Sequence, residues 1–178
     1  MKDMTVEHFI EKYIEWIDKD EWDYIYQQAT IHLEYPYDFT AKILQVGINP
    51  LAYMTSVPYS YAPLEIKEAT LSSKCTRIEQ SAFNGCLELE TINLPEGLEV
   101  IDTMAFFNSG LKEITLPSTL LVLGPQAFAS CDKLEKITYN GTIDQINKIR
   151  VWEEVFDNVP AYYIECTDGN IELRDIDE

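Results

Sequence analysis

Few residues in this chain can carry nucleophilic or metal chemistry: His8 and His32, and the cysteines Cys75, Cys86, Cys131 and Cys166. Nucleophilic catalysis needs a base within reach of a Ser or Cys. His8 falls on the charged side of a helical pattern and His32 near the end of another, so both read as surface or packing residues. Zinc needs closely spaced Cys or His ligands, and the chain has no CxxC pair. HExxH, GxSxG and Walker A stretches are also missing. The cysteines read as reduced, buried thiols. Asp168-Gly169-Asn170 echoes a calcium loop but lacks its alternating ligands, and reads as a turn. Asn140-Gly141-Thr142 is a formal glycosylation sequon. Carboxylates abound, yet no spacing singles out an acid–base pair. The expectation is a non-enzyme with no catalytic residue, no metal and no cofactor.

Charge narrows the partners. Asp and Glu number 31 against 13 Lys and Arg, a formal net charge of −18. Phosphate attraction needs clustered basic residues, so direct nucleic-acid binding is not expected. Anionic membrane surfaces repel such a chain. A basic protein partner is attracted, most strongly at low salt. The acid is concentrated outside the middle: residues 1–40 and 142–178 each carry net −7, and residues 41–141 only −4. Hydrophobic residues make up 46%, which argues against bulk disorder at this charge. No apolar run is long enough for a membrane-spanning helix. No basic stretch followed by an apolar run opens the sequence, so a cytoplasmic protein is expected, or a bacterial-surface one if a signal has been removed.

The elements that position these residues repeat. Ala82-Phe83, Ala105-Phe106 and Ala127-Phe128 recur at spacings of 23 and 22 residues, read directly from their numbers. Four positions before each Ala stands an apolar residue, Ile78, Ile101 or Leu123, and three after each Phe a small one, Cys86, Ser109 or Cys131. A second series keeps the same phase: Leu89, Leu111 and Leu134, then Ile92, Ile114 and Ile137, then Leu94, Leu116 and Tyr139. The alternation around each Ile suits a strand with one buried side. Pro95 and Pro117 close the first two strands, because proline cannot donate to a ladder. A single unit cannot bury its apolar side, but stacked units can. Stacking puts Cys86 and Cys131 two units apart, roughly 10 Å, too far for a disulfide.

The segments Leu89–Gly110 (LETINLPEGLEVIDTMAFFNSG) and Leu111–Lys133 (LKEITLPSTLLVLGPQAFASCDK) resemble the BspA-type leucine-rich repeat family. Residues 66–88 resemble a more degenerate copy, with Ile66, Ala69, Leu71, Cys75 and Ile78 in register. Residues 134–142 resemble the strand of a last copy without its Ala-Phe half. The resemblance implies an α+β fold built on a short solenoid with a parallel strand ladder. It also implies adhesion or ligand binding, since many family members are bacterial surface proteins.

Solenoid ends need covering. Residues 5–18 show a helical apolar stripe of Val6, Phe9, Ile10, Tyr13, Ile14 and Ile17. Further helices are expected after Asp20 and over Ala41–Val46, so residues 1–62 read as a helical N-terminal cap. The repeats are assigned to 63–142. Residues 143–178 read as a C-terminal cap, with a short helix through Ile143, Ile146 and Ile149 and a β-hairpin turning at Asp168-Gly169.

The function expected is a non-catalytic scaffold that binds a protein partner through its repeat face and its acidic flanks. Thr91 and Asn93, Glu113 and Thr115, and Lys136 and Thr138 are the outward strand positions that would meet it. The alternatives are an acidic inhibitor, of phage or mobile-element type, that blocks a nucleic-acid-binding protein or nuclease, and an adhesin-like ligand binder.

Overall fold

A two-residue alternation leaves each strand with one apolar side, and a turn of small and aromatic residues returns the chain beneath it. The computed structural model, which describes Ser56–Val57 and residues 66–176, winds this pattern into a short β-solenoid of about four turns with little helix. In chain order the strands are β1 (Ser56–Val57), β2 (Glu68–Thr70), β3 (Arg77–Ile78), β4 (Thr91–Asn93), β5 (Val100–Ile101), β6 (Glu113–Leu116), β7 (Val122–Leu123) and β8 (Lys136–Tyr139). A single helical turn, α1 (Ile143–Ile146), precedes β9 (Arg150–Val151), β10 (Tyr163–Cys166) and β11 (Gly169–Glu172), and a 3-10 turn follows at Leu173–Asp175.

Two walls of parallel strands form. One has the order β1-β3-β5-β7-β9. The other carries β2 beside β4, and β6-β8-β10 closed by antiparallel β11. Lys112 N–H donates to the Glu90 carbonyl at 3.1 Å, linking the β4 and β6 coils. Register stacks Ala69 on Ile92, and Ile114 on Ile137 on Ile164, all buried. Each fully buried aliphatic side chain contributes about 1.5–3 kcal/mol. Along the third side run Phe83, Phe106, Phe128 and Phe156, with centroid separations of 5.1, 5.1 and 5.5 Å and nearly parallel rings.

The Phe-bearing turns use the left-handed backbone twice per coil. Ser81, Met104, Gln126 and Glu154 occupy the first position, and Gly85, Asn108, Ser130 and Asn158 the second, with φ from 52° to 73°. Such turns cost about 1–2 kcal/mol per non-glycine residue. Hydrogen bonds to the next coil offset this: Phe83 N–H donates to the Ala105 carbonyl at 2.7 Å, and Phe106 N–H to the Ala127 carbonyl at 2.8 Å.

Several expectations change. The N-terminal helical cap lies outside the described residues, with His8 and His32, apart from Ser56–Val57, which form strand β1 against β3 rather than helix. The repeats do not end at 142. The supposedly missing Ala-Phe half is Val155-Phe156, displaced because α1 inserts before it, and Ile164 takes the place of Ile137. The C-terminal region is thus mostly another coil. Its helix is one turn, Ile143–Ile146, capped by Thr142, and stops short of Ile149. The hairpin β10–β11 is present, with Thr167 and Asp168 in its loop and Gly169 already in the strand. All four cysteines are free, and Cys86, Ser109 and Cys131 share one slot, where the Ser109 hydroxyl lies 3.3 Å from the Cys131 sulfur.

Candidate binding face

Because each inward Ile is flanked by outward residues, the strand register itself builds two outward columns. One runs Glu68, Thr91, then Glu113, Lys136; the other runs Thr70, Asn93, then Thr115, Thr138. Rungs lie about 4.8 Å apart. All six residues singled out from the sequence fall on this one wall, with Thr91, Asn93, Glu113, Thr115 and Lys136 exposed and Thr138 half-buried. The columns continue onto β10 through Tyr163 and Glu165, where Glu165 is the register partner of Thr138. Sequence reading missed these two because it ended the repeats too early. The signal was present: Tyr163-Ile164-Glu165 alternates as Lys136-Ile137-Thr138 does.

The face carries both signs. Lys136 reaches Glu165 at 3.1 Å rather than its register neighbour Glu113. At the strand entrance Lys112 lies 2.7 Å from Glu90, and this hydrogen bond and charge hold the Glu90 carboxyl below its ordinary range. At the strand exit Glu96 ties three coils. It accepts from the Ser118 hydroxyl at 3.0 Å and from the Asn140 amide at 2.9 Å. Partial burial pushes its carboxyl up, but those hydrogen bonds outweigh it and the net shift is downward. Tyr162, 84% exposed, and half-exposed Tyr163 supply aromatic surface at the far end of the wall. On the other wall the Arg150 guanidinium sits 4.6 Å over the Trp152 ring.

Among the described residues no group of three or more His, Cys, Asp or Glu can hold a metal ion. Asp168, in the turn that echoed a calcium loop, accepts the Ile143 N–H at 2.8 Å and so anchors the start of α1. Asn140 of the sequon donates to Glu96. Among the described residues no helix is long and apolar enough to cross a membrane.

The coil geometry agrees with a family model. The BspA type leucine-rich repeat region matches residues 57–171 in 6 copies, well over half the chain. The chain belongs to the BspA-type leucine-rich repeat family. This match includes β9 and β10 and reaches Ile171 within β11, consistent with a BspA-type coil continuing past α1. A solved leucine-rich repeat protein from Bacteroides ovatus is similar at 21% identity and a TM-score of 0.37, over 64% of this chain. The chain spans 43% of that protein's length. Comparison with curated proteins gives no match.

Proposed function

We propose that this BspA-type repeat chain is a non-catalytic protein-interaction scaffold that holds a protein partner across its outward strand columns. The observation that carries this reading is the in-register exposure of Thr91, Asn93, Glu113, Thr115 and Lys136 on a single wall. The short side chains of Thr91, Asn93 and Thr115, at fixed spacing, meet an extended partner at low entropic cost. The net charge of −18 favours a basic partner and accelerates its encounter at low salt.

The mixed signs on this wall favour a scaffold over an acidic mimic of nucleic acid. A phosphate-like array needs carboxylates in uninterrupted series, whereas Lys136 interrupts the column below Glu113 and neutralises Glu165. The test is affinity capture from the source cell at two salt concentrations, with wild type beside a Glu113→Ala, Thr115→Ala, Lys136→Ala triple variant. A partner retained by wild type in both salts and lost by the triple variant supports the scaffold reading. A nuclease or DNA-binding protein released by salt from both chains overturns it in favour of the acidic inhibitor.

A further inference from the structure

Each coil of the solenoid presents the same backbone groups to the coil that follows. In the first wall these are carbonyls: Ile78 accepts from Asp102, Ile101 from Gly124 and Leu123 from Trp152. Leu121 accepts from Arg150 in the same way. In the Phe turns they are N–H groups: Phe83 and Gly85, Phe106 and Asn108, and Phe128 and Ser130 all donate forward. The last described coil repeats the pattern. Among the described residues the carbonyls of Ile149 and Val151 and the N–H groups of Phe156 and Asn158 have no forward partner. The hairpin strand β11 covers the edge of β10, so it closes only the other wall.

We propose that this half-open end coil, residues 149–158, accepts one segment of a basic partner protein, which adds a strand beside β9 and then bends along the Phe turn as each following coil does. An unpaired edge is a template for another chain. The charge around it selects the occupant. Glu153, Glu154 and Asp157 are exposed along the edge. The neighbouring cations are engaged: Arg150 lies over Trp152, and Lys148 is 3.0 Å from Asp144. A second copy of this chain carries net −18 and is repelled, whereas a Lys- or Arg-bearing strand is drawn in. The incoming backbone would donate to Ile149 and Val151 and accept from Phe156 and Asn158, so both affinity and register come from the main chain. This surface is separate from the columns of Glu113 and Thr115.

The probe is a short acetylated peptide of alternating lysine and valine, read by amide hydrogen exchange of the full chain. Its addition is expected to slow exchange at Phe156 and Asn158. N-methylating the peptide's donor amides should weaken binding by roughly tenfold, because two hydrogen bonds are lost. Glu153→Lys with Asp157→Lys, at exposed positions, should abolish the protection while leaving the melting curve in place. Glu113→Ala with Thr115→Ala should leave it untouched, which separates failure of this site from failure of the strand-column reading. Binding indifferent to N-methylation would overturn the proposal, since charge alone would then suffice. Protection at Gly169–Glu172 instead, or protection that grows with protein concentration when no peptide is present, would overturn it too.

Discussion

The ring of Phe106 lies flat against the ring of Phe128, centroids 5.1 Å apart and planes within 5°. That distance is close to the rise of one coil, about 4.8 Å between neighbouring strands. The aromatic column therefore reports the same spacing as the strand ladder, and Phe106 and Phe128, each with a ring on both sides, are fully buried.

Phe106→Ala removes a ring with neighbours on both sides. The expected loss is roughly 3–5 kcal/mol, from transfer and cavity terms together. At about 2–4 °C per kcal/mol, thermal denaturation should drop well beyond experimental scatter. Phe106→Leu should lose less. A melt unchanged for Phe106→Ala would contradict the stacked column.

Much of this was legible beforehand because the repeat is strict where packing is strict. Ile92, Ile114 and Ile137, and the three Ala-Phe pairs, keep a 22–23-residue spacing because every coil must bury the same slots. The same logic placed Thr91 to Thr138 on one outward wall. The final coil was hidden by two changes at once. The α1 insertion lengthens the step from Phe128 to Phe156, and Val155 replaces alanine. The two-residue strands β3, β5, β7 and β9 were too short to show a period at all, although their inward residues, Ile78, Ile101 and Leu123, were visible as a series.

Gly110 marks a close approach of two coils. A Cβ there would lie 2.0 Å from the Leu87 carbonyl oxygen, a backbone atom that cannot rotate aside. Gly110→Ala must push adjacent coils apart, and should destabilise by about 1–3 kcal/mol or more. Gly97→Ala is the control of opposite kind. A Cβ there would make only ordinary contact, with the Ser73 carbonyl oxygen at 3.9 Å, but φ is +106°, so backbone strain alone applies. Chemical denaturation of both variants should rank Gly110→Ala as the more damaging, and the reverse order would refute the close approach.

Thiol chemistry should follow burial. The Cys86 side chain is fully buried, and desolvation pushes its thiol up to about 11. Cys131 is also buried and shifted upward by desolvation, with Ser109 partly opposing. The thiolate is the reactive species, so neither should react in the folded protein near neutral pH. Cys166, half-buried at the hairpin loop, should be alkylated first. Mass spectrometry after brief iodoacetamide treatment should find label at Cys166, with Cys86 and Cys131 labelled only in denaturant. Rapid native labelling of Cys86 would mean that the Cys–Ser–Cys slot is open.

Glu96 should make the solenoid acid-sensitive. Its carboxyl is held below its unfolded value, so it binds fewer protons in the folded chain than in the unfolded one. The stability it contributes is therefore present above the ordinary carboxylate pKa of about 4.3. That stability falls as pH drops through the lower folded value. Protonation removes the charge that Ser118 and Asn140 donate to, and loosens a contact spanning three coils. Glu96→Gln retains an acceptor but cannot titrate. Melting temperatures of both chains measured from neutral pH down to about 3 should converge as the acid takes hold, with wild type the more stable at neutral pH. A constant gap across that range would show that Glu96 contributes nothing to the acid response.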